Sequence, residues 1–227
     1  MTDTLNKESK SLLAKLMASE DLHVVYSNSA PTASFDTENR VLTVPVFKQE
    51  MSVKATDLML GHEVGHALYT PQGEIKEVVK KGGTYKAVVN IVEDARIEKM
   101  IQGKFPGLRP IFKDAYNELM DKDFFGTKGK DVNSYNFLDR LNLHFKAGIR
   151  AGVEFSDEEK PYVNRMDKNS SWEEVISLSD DLFEYMKAKK DEEPETPEDK
   201  TMDEQGEEGD DGEMSSDMPM DFSDNDS

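Results

Sequence analysis

The residues of this chain best able to do chemistry lie in one short run, Gly61-His62-Glu63-Val64-Gly65-His66. Apolar Leu58, Leu60, Val64 and Leu68 surround it at helical spacing. Residues four apart on a helix lie about 40° apart around the axis and about one turn along it. His62 and His66 can therefore offer two imidazole nitrogens to one ion. Glu63 projects beside them, where a carboxylate can take a proton from a metal-activated water and pass it to a leaving amine. Gly61, Gly65 and Ala67 are small, so another backbone or a substrate can approach this helix closely. The competing reading is a pair of satisfied histidines on a helix surface.

A catalytic metal needs a further protein ligand. The chain has no cysteine, so that ligand must come from His, Asp or Glu. The stretch 84–102 offers several. Val88, Val89, Ile91, Val92, Ala95, Ile97, Met100 and Ile101 make it apolar around most of its circumference, while Asn90, Glu93, Asp94 and Glu98 form one polar stripe. A row of acids on a buried helix is costly unless a cation or hydrogen bonds neutralise it. A zinc ion held by His62 and His66 would do so. The alternative is a solvated face paired with Arg96 or Lys99.

HEVGHALYT followed by this acid-bearing helix resembles the gluzincin metallopeptidases, particularly their carboxypeptidase and oligopeptidase branches. The resemblance implies a zinc-dependent peptidase whose third ligand is a Glu on a second helix, which maps to Glu93. Asp94 is the alternative ligand, with Glu98 one turn away as its outer partner. Asn90 and the acids not used as ligands would orient the histidines. No clean N-E-x-x-x-D string supports the choice.

A longer stretch, from FDTENRVLTVP through HEVGHALYT and NIVEDARIE to an acidic low-complexity segment, is similar to the metallopeptidase-like front half of cobaltochelatase T-subunit-type proteins. In that group an acidic linker leads to a von Willebrand factor A domain, which pairs with a MoxR-type AAA+ ATPase. Here the sequence runs to Ser227 without an A domain, which implies a fragment or a domain supplied elsewhere. The same resemblance motivates a second expectation, a metal-containing adaptor or chelatase-type subunit that cleaves nothing. A wholly structural zinc is weakened by Glu63, since such a site needs no base.

A tetrahedral intermediate also needs an electrophilic donor. His144 and Tyr162 are the candidates, although His144 equally suits a helix surface or core. Tyr69 suits the core.

The elements that must position these groups follow from periodicity and punctuation. Helices are predicted over 4–19, 53–69, 84–102, 109–121, 133–149 and 171–190. Ser170 or Ser171 with Glu174 forms a capping pattern for the last of them. Leu22 to Tyr26 is β-prone. Phe35 and Val41–Pro45 flank the polar turn Asp36-Thr37-Glu38-Asn39 as a hairpin. Pro45, lacking an amide donor, favours an edge strand or a strand end. That hairpin either covers the helices or pairs with an extended peptide substrate.

The chain carries 47 acidic and 28 basic residues in 227, a net charge of −19. Residues 191–227 hold 17 of the acids and one of the basic residues, leaving a net of −3 for the rest. The expected organisation is an α+β, zincin-like domain over 1–190, with a small antiparallel hairpin or sheet and a mainly helical metal-binding half. Residues 191–227 form an acidic disordered tail or linker. The acidity argues against nucleic-acid binding. No stretch reaches the roughly 18 apolar residues of a membrane helix. The polar N-terminal sequence argues for a cytoplasmic location.

Overall fold

Short β-prone runs and long apolar-periodic runs separate cleanly along this chain, giving a mixed α+β fold that is mainly helical. The computed structural model describes residues 10, 23–30, 33–46, 52–192 and 214–215. The helix expected over 4–19 lies outside the described residues apart from Lys10, which pairs with Asp57. Most of the acidic segment 191–227 also lies outside them.

Three strands open the described chain: β1 (His23–Ser27), β2 (Ser34–Asp36) and β3 (Val41–Pro45). β2 and β3 form the expected antiparallel hairpin. Its turn is built by Asp36, whose Oδ1 accepts from the amides of Glu38 and Asn39 at 2.8 and 2.9 Å. The sheet is mixed rather than wholly antiparallel. β3 lies between β1 and β2 and runs parallel to β1, because the chain reverses twice before β3 docks beside β1. Pro45 ends this central strand and needs no edge. The two-residue β4 (Met214–Ser215) pairs antiparallel with β2.

Phe35, Leu42 and Val44 point from the sheet into a core shared with α1 (Val53–Tyr69). Ser52 caps α1, its hydroxyl accepting from the amide of Ala55 at 3.1 Å. Thr70 ends it just before Pro71. α1 is buried along almost its whole central length. A Cβ on Gly61 would sit 2.9 Å from the Phe112 ring, and one on Gly65 would sit 2.8 Å from Ile97. These two glycines are what let neighbouring helices close on the motif.

The remaining helices are α2 (Ile75–Lys80), α3 (Gly83–Lys104), α4 (Leu108–Asp121), α5 (Phe137–Ala147), α6 (Lys160–Lys168) and α7 (Trp172–Glu192). α3 is central and packs on α1, α2, α5, α6 and α7. A second core forms around it from Val88, Val92, Leu141, Met166, Val175, Leu178 and Leu182. The capping pattern before α7 is reciprocal: Glu174 donates its amide to Ser171 Oγ at 3.2 Å, while its carboxylate accepts from the Ser170 amide at 2.8 Å.

Three elements differ from the sequence reading. The expected helix 133–149 is broken into a 3₁₀ turn at Val132–Ser134, α5, and a second 3₁₀ turn at Gly148–Ala151. Asn136 restarts the chain as a cap, accepting from the Asp139 amide at 2.9 Å. α2 and α6 were not expected. α2 is only six residues long, and α6 carries a proline in its first turn, where the missing amide costs no hydrogen bond.

Candidate metal centre

The motif helix α1 and the acid-bearing helix α3 meet face to face, and their polar groups converge there. His62, His66 and Asp94 form a buried group that could hold a metal ion. They are 3, 0 and 3 % exposed. The two Nε2 atoms lie 3.2 Å apart. Asp94 Oδ1 is 3.5 Å from His62 Nε2 and 3.4 Å from His66 Nε2. Ligands held at about 2.0–2.1 Å by a tetrahedral ion are about 3.3 Å from one another, so the spacing of the trio matches such an ion.

The surrounding hydrogen bonds fix the tautomers. His62 Nδ1 faces Glu98 Oε1 at 2.9 Å, and the same oxygen accepts from the Tyr116 hydroxyl at 2.6 Å. A carboxylate only accepts, so His62 carries its proton on Nδ1. His66 Nδ1 faces the Thr70 hydroxyl at 2.9 Å, and that hydroxyl donates to Glu93 Oε1 at 2.6 Å. The Thr70 oxygen must therefore accept from His66, whose proton also lies on Nδ1. With Nδ1 of each ring so occupied, the two Nε2 atoms face each other and a carboxylate oxygen. Three acceptors so close repel unless a cation lies among them, either a proton on His62 or a metal ion.

The electrostatics express the same demand. Burial alone would push the His62 pKa down, but Asp94 foremost, then Glu98 and Glu63, outweigh it and hold the pKa up at about 9. Burial would raise Asp94. Lys146, with His62 and His66, outweighs it and keeps that carboxyl well below the usual carboxylate range. Burial, aided by Glu98, raises the Tyr116 hydroxyl well above its ordinary value.

The structure distributes the expected site residues unevenly. The acid that joins the histidines is Asp94, and the Glu93 carboxylate is turned elsewhere. Its oxygens accept from Arg96 Nε at 2.7 Å and from an Arg96 terminal nitrogen at 2.6 Å. Adjacent residues on a helix are about 100° apart, so two neighbouring acids on one helix face different partners. Glu93 still reaches the site indirectly, through Thr70 to His66. Glu98 holds His62 directly. Asn90 is buried one turn before Asp94, and Glu63 is 1 % exposed between the two histidines of its helix.

His144 and Tyr162, the expected oxyanion donors, are placed elsewhere. His144 packs edge-on against Phe145 and Phe155, and Tyr162 packs edge-on against Phe137 and at a tilt against Tyr185. Burial lowers the pKa of His144. Four groups that the sequence reading did not assign to the site do reach it: Thr70, Arg96, Tyr116 and Lys146. Lys146 lies two residues beyond His144 and donates to Asp94 Oδ2 at 3.1 Å. Thr70 had a legible signal, since it lies four residues after His66 on the same helix face. Lys146 and Tyr116 come from other helices and had none.

No family model matches this chain, and no curated protein or solved structure compared with it does. Among the described residues no helix is long and apolar enough to cross a membrane.

Proposed function

We propose that the chain is a zinc-dependent peptidase with a zincin-like site. The carrying observation is the convergence of two Nε2 atoms of α1 and one aspartate oxygen of α3, 3.2 to 3.5 Å apart, with Glu63 between the two histidines in the sequence of α1. His62, His66 and Asp94 would hold the ion. Two imidazoles and one carboxylate form a donor set suited to zinc. Zinc so held supplies Lewis acidity, which makes water a nucleophile near neutral pH and polarises a carbonyl. Glu98, and Glu93 through Thr70, would orient the two histidines by anchoring their Nδ1 sides, so that each Nε2 faces the ion. Glu63 takes a proton from the attacking water and hands it to the departing amine.

The test is a pair of measurements on the purified chain. One zinc per chain is expected by elemental analysis. Glu63→Gln is expected to keep the zinc and lose at least about a hundredfold in peptide cleavage. Full cleavage by Glu63→Gln, or a chain that takes up no zinc at micromolar levels, would sink the proposal.

One observation favours a second reading. His62, Glu63 and His66 are all 3 % exposed or less, and a closed site is what a non-catalytic metal has. In that reading the chain is a metal-containing adaptor or chelatase-type subunit working with a MoxR-type AAA+ ATPase and an A domain. Such an adaptor tolerates Glu63→Gln in a biological assay and fails with His62→Ala.

A further inference from the structure

Lys146 is a cation placed where another cation is expected. It lies on α5, and its Nζ donates to Asp94 Oδ2 at 3.1 Å. The side chains of the pair are 5 and 4 % exposed. Burying an ammonium is costly even when it is paired. Neutralising Asp94 does not by itself require a lysine, since an ion held with His62 and His66 would do that as well. What the lysine adds is control of the second oxygen of Asp94.

The two oxygens have separate partners. Oδ1 faces the histidines, 3.5 Å from His62 Nε2 and 3.4 Å from His66 Nε2. Oδ2 faces Lys146. α3 packs on both α1 and α5, so Asp94 is gripped between the two. A carboxylate can bind an ion through one oxygen or both, and oxygen-seeking cations of high coordination number often take both. Here Oδ2 is held in a hydrogen bond to an ammonium. An ion drawing up to both oxygens would meet that like charge in a poorly screened interior. The trio is left with two nitrogens and one oxygen. Three protein donors and a place for water are the set of a four-coordinate catalytic zinc, whereas manganese favours six ligands, mostly oxygen.

We propose that Lys146 sets the metal preference of the site: by occupying Oδ2 it restricts Asp94 to one ligand oxygen and so favours zinc over ions of higher coordination number. This rests on the metal centre of the peptidase reading. Lys146 is a positioning residue in this role, acting through Asp94.

The test compares the unsubstituted chain with Lys146→Met, which keeps the length without charge or donor, and with Lys146→Arg, which restores both. The cleft of about 260 Å³ that Asp94 and Lys146 help to line gives the larger guanidinium room. Zinc and manganese affinities are read by competition with a chelating dye. Lys146→Met is expected to narrow the preference for zinc over manganese by about tenfold or more, and Lys146→Arg is expected to keep it. Cobalt reports the coordination number directly, because four-coordinate cobalt absorbs visible light much more strongly than five- or six-coordinate cobalt. A strong band is expected from the unsubstituted chain and a weak one from Lys146→Met. A lysine that only neutralises Asp94 shifts both affinities by one factor and leaves the band alone, and that result overturns the proposal. So does a weak band from the unsubstituted chain, a measurement that decides alone where Lys146→Met does not fold. If zinc binds at one per chain and the preference stays unmoved, only the role of Lys146 falls. If no peptide is cut but preference and band change together, hydrolysis falls and the role of Lys146 stands.

Discussion

Glu93 and Asp94 are neighbours in sequence, equally deep and on the same helix, yet they face different worlds. Glu93 is 0 % exposed and is neutralised within its own helix by Arg96, three residues on. Asp94 is 3 % exposed and is neutralised by groups from two other helices, the histidines of α1 and Lys146 of α5. A buried acid takes its role from the cation it meets. Glu93 already has a full-time local partner with two matching hydrogen bonds, so it is spent on fixing Thr70. Asp94 meets a lysine at one oxygen, and its other oxygen faces the two histidines.

The sharpest way to break this contrast is to neutralise each acid in turn and measure zinc. Asp94→Asn is expected to weaken zinc binding by roughly a thousandfold or more, a share of the ~10–16 kcal/mol that a protein zinc site can supply. Competition with a chelating dye reads it, with far-ultraviolet dichroism to check the fold. Glu93→Gln is expected to retain one zinc per chain with about 10–100-fold weaker affinity, the usual effect of an outer partner. Its larger signature is in stability, because Arg96 stays buried without a counter-charge. Chemical denaturation should show a loss of about 3–5 kcal/mol. If the two substitutions exchange these phenotypes, the ligand is Glu93 after all.

A gentler probe uses protons in place of mutations. The metal-free His62 has its pKa raised from 6.5 to about 9. Its protonation thus stabilises the metal-free fold fully below pH 6.5, and that contribution is lost as pH rises through about 9. Zinc needs the unprotonated imidazole, so binding at neutral pH must expel one proton. Apparent zinc affinity is expected to rise about tenfold per pH unit between pH 6.5 and 8. Calorimetry in buffers of different ionisation enthalpy should count about one proton released per zinc. A pH-independent affinity would mean that His62 is already neutral.

Much of this arrangement was legible in advance, for identifiable reasons. α1 was readable to the residue because an apolar 3.6-residue pattern fills the span between Ser52 and Pro71. The capping box at Ser171 and Glu174 was readable because both of its partners lie within one turn. The β2–β3 hairpin was readable from its polar turn. α2 and α6 were not, being too short for periodicity to register, and nothing local could show that β3 would pair parallel to β1.

The site divides along the same line. The sequence by itself determined the two histidines, the glutamate between them and the stripe of acids, because helical geometry places residues four apart on one face whatever surrounds them. The tertiary structure decided which acid joins the two histidines. That choice depends on how α3 is rotated against α1, and the packing of Ile97 into the space left by Gly65 helps set it. It also brought in Tyr116 and Lys146 from helices whose sequences carry no mark of the task. Local pattern fixes which groups a helix offers; only the meeting of helices fixes which of them share a charge.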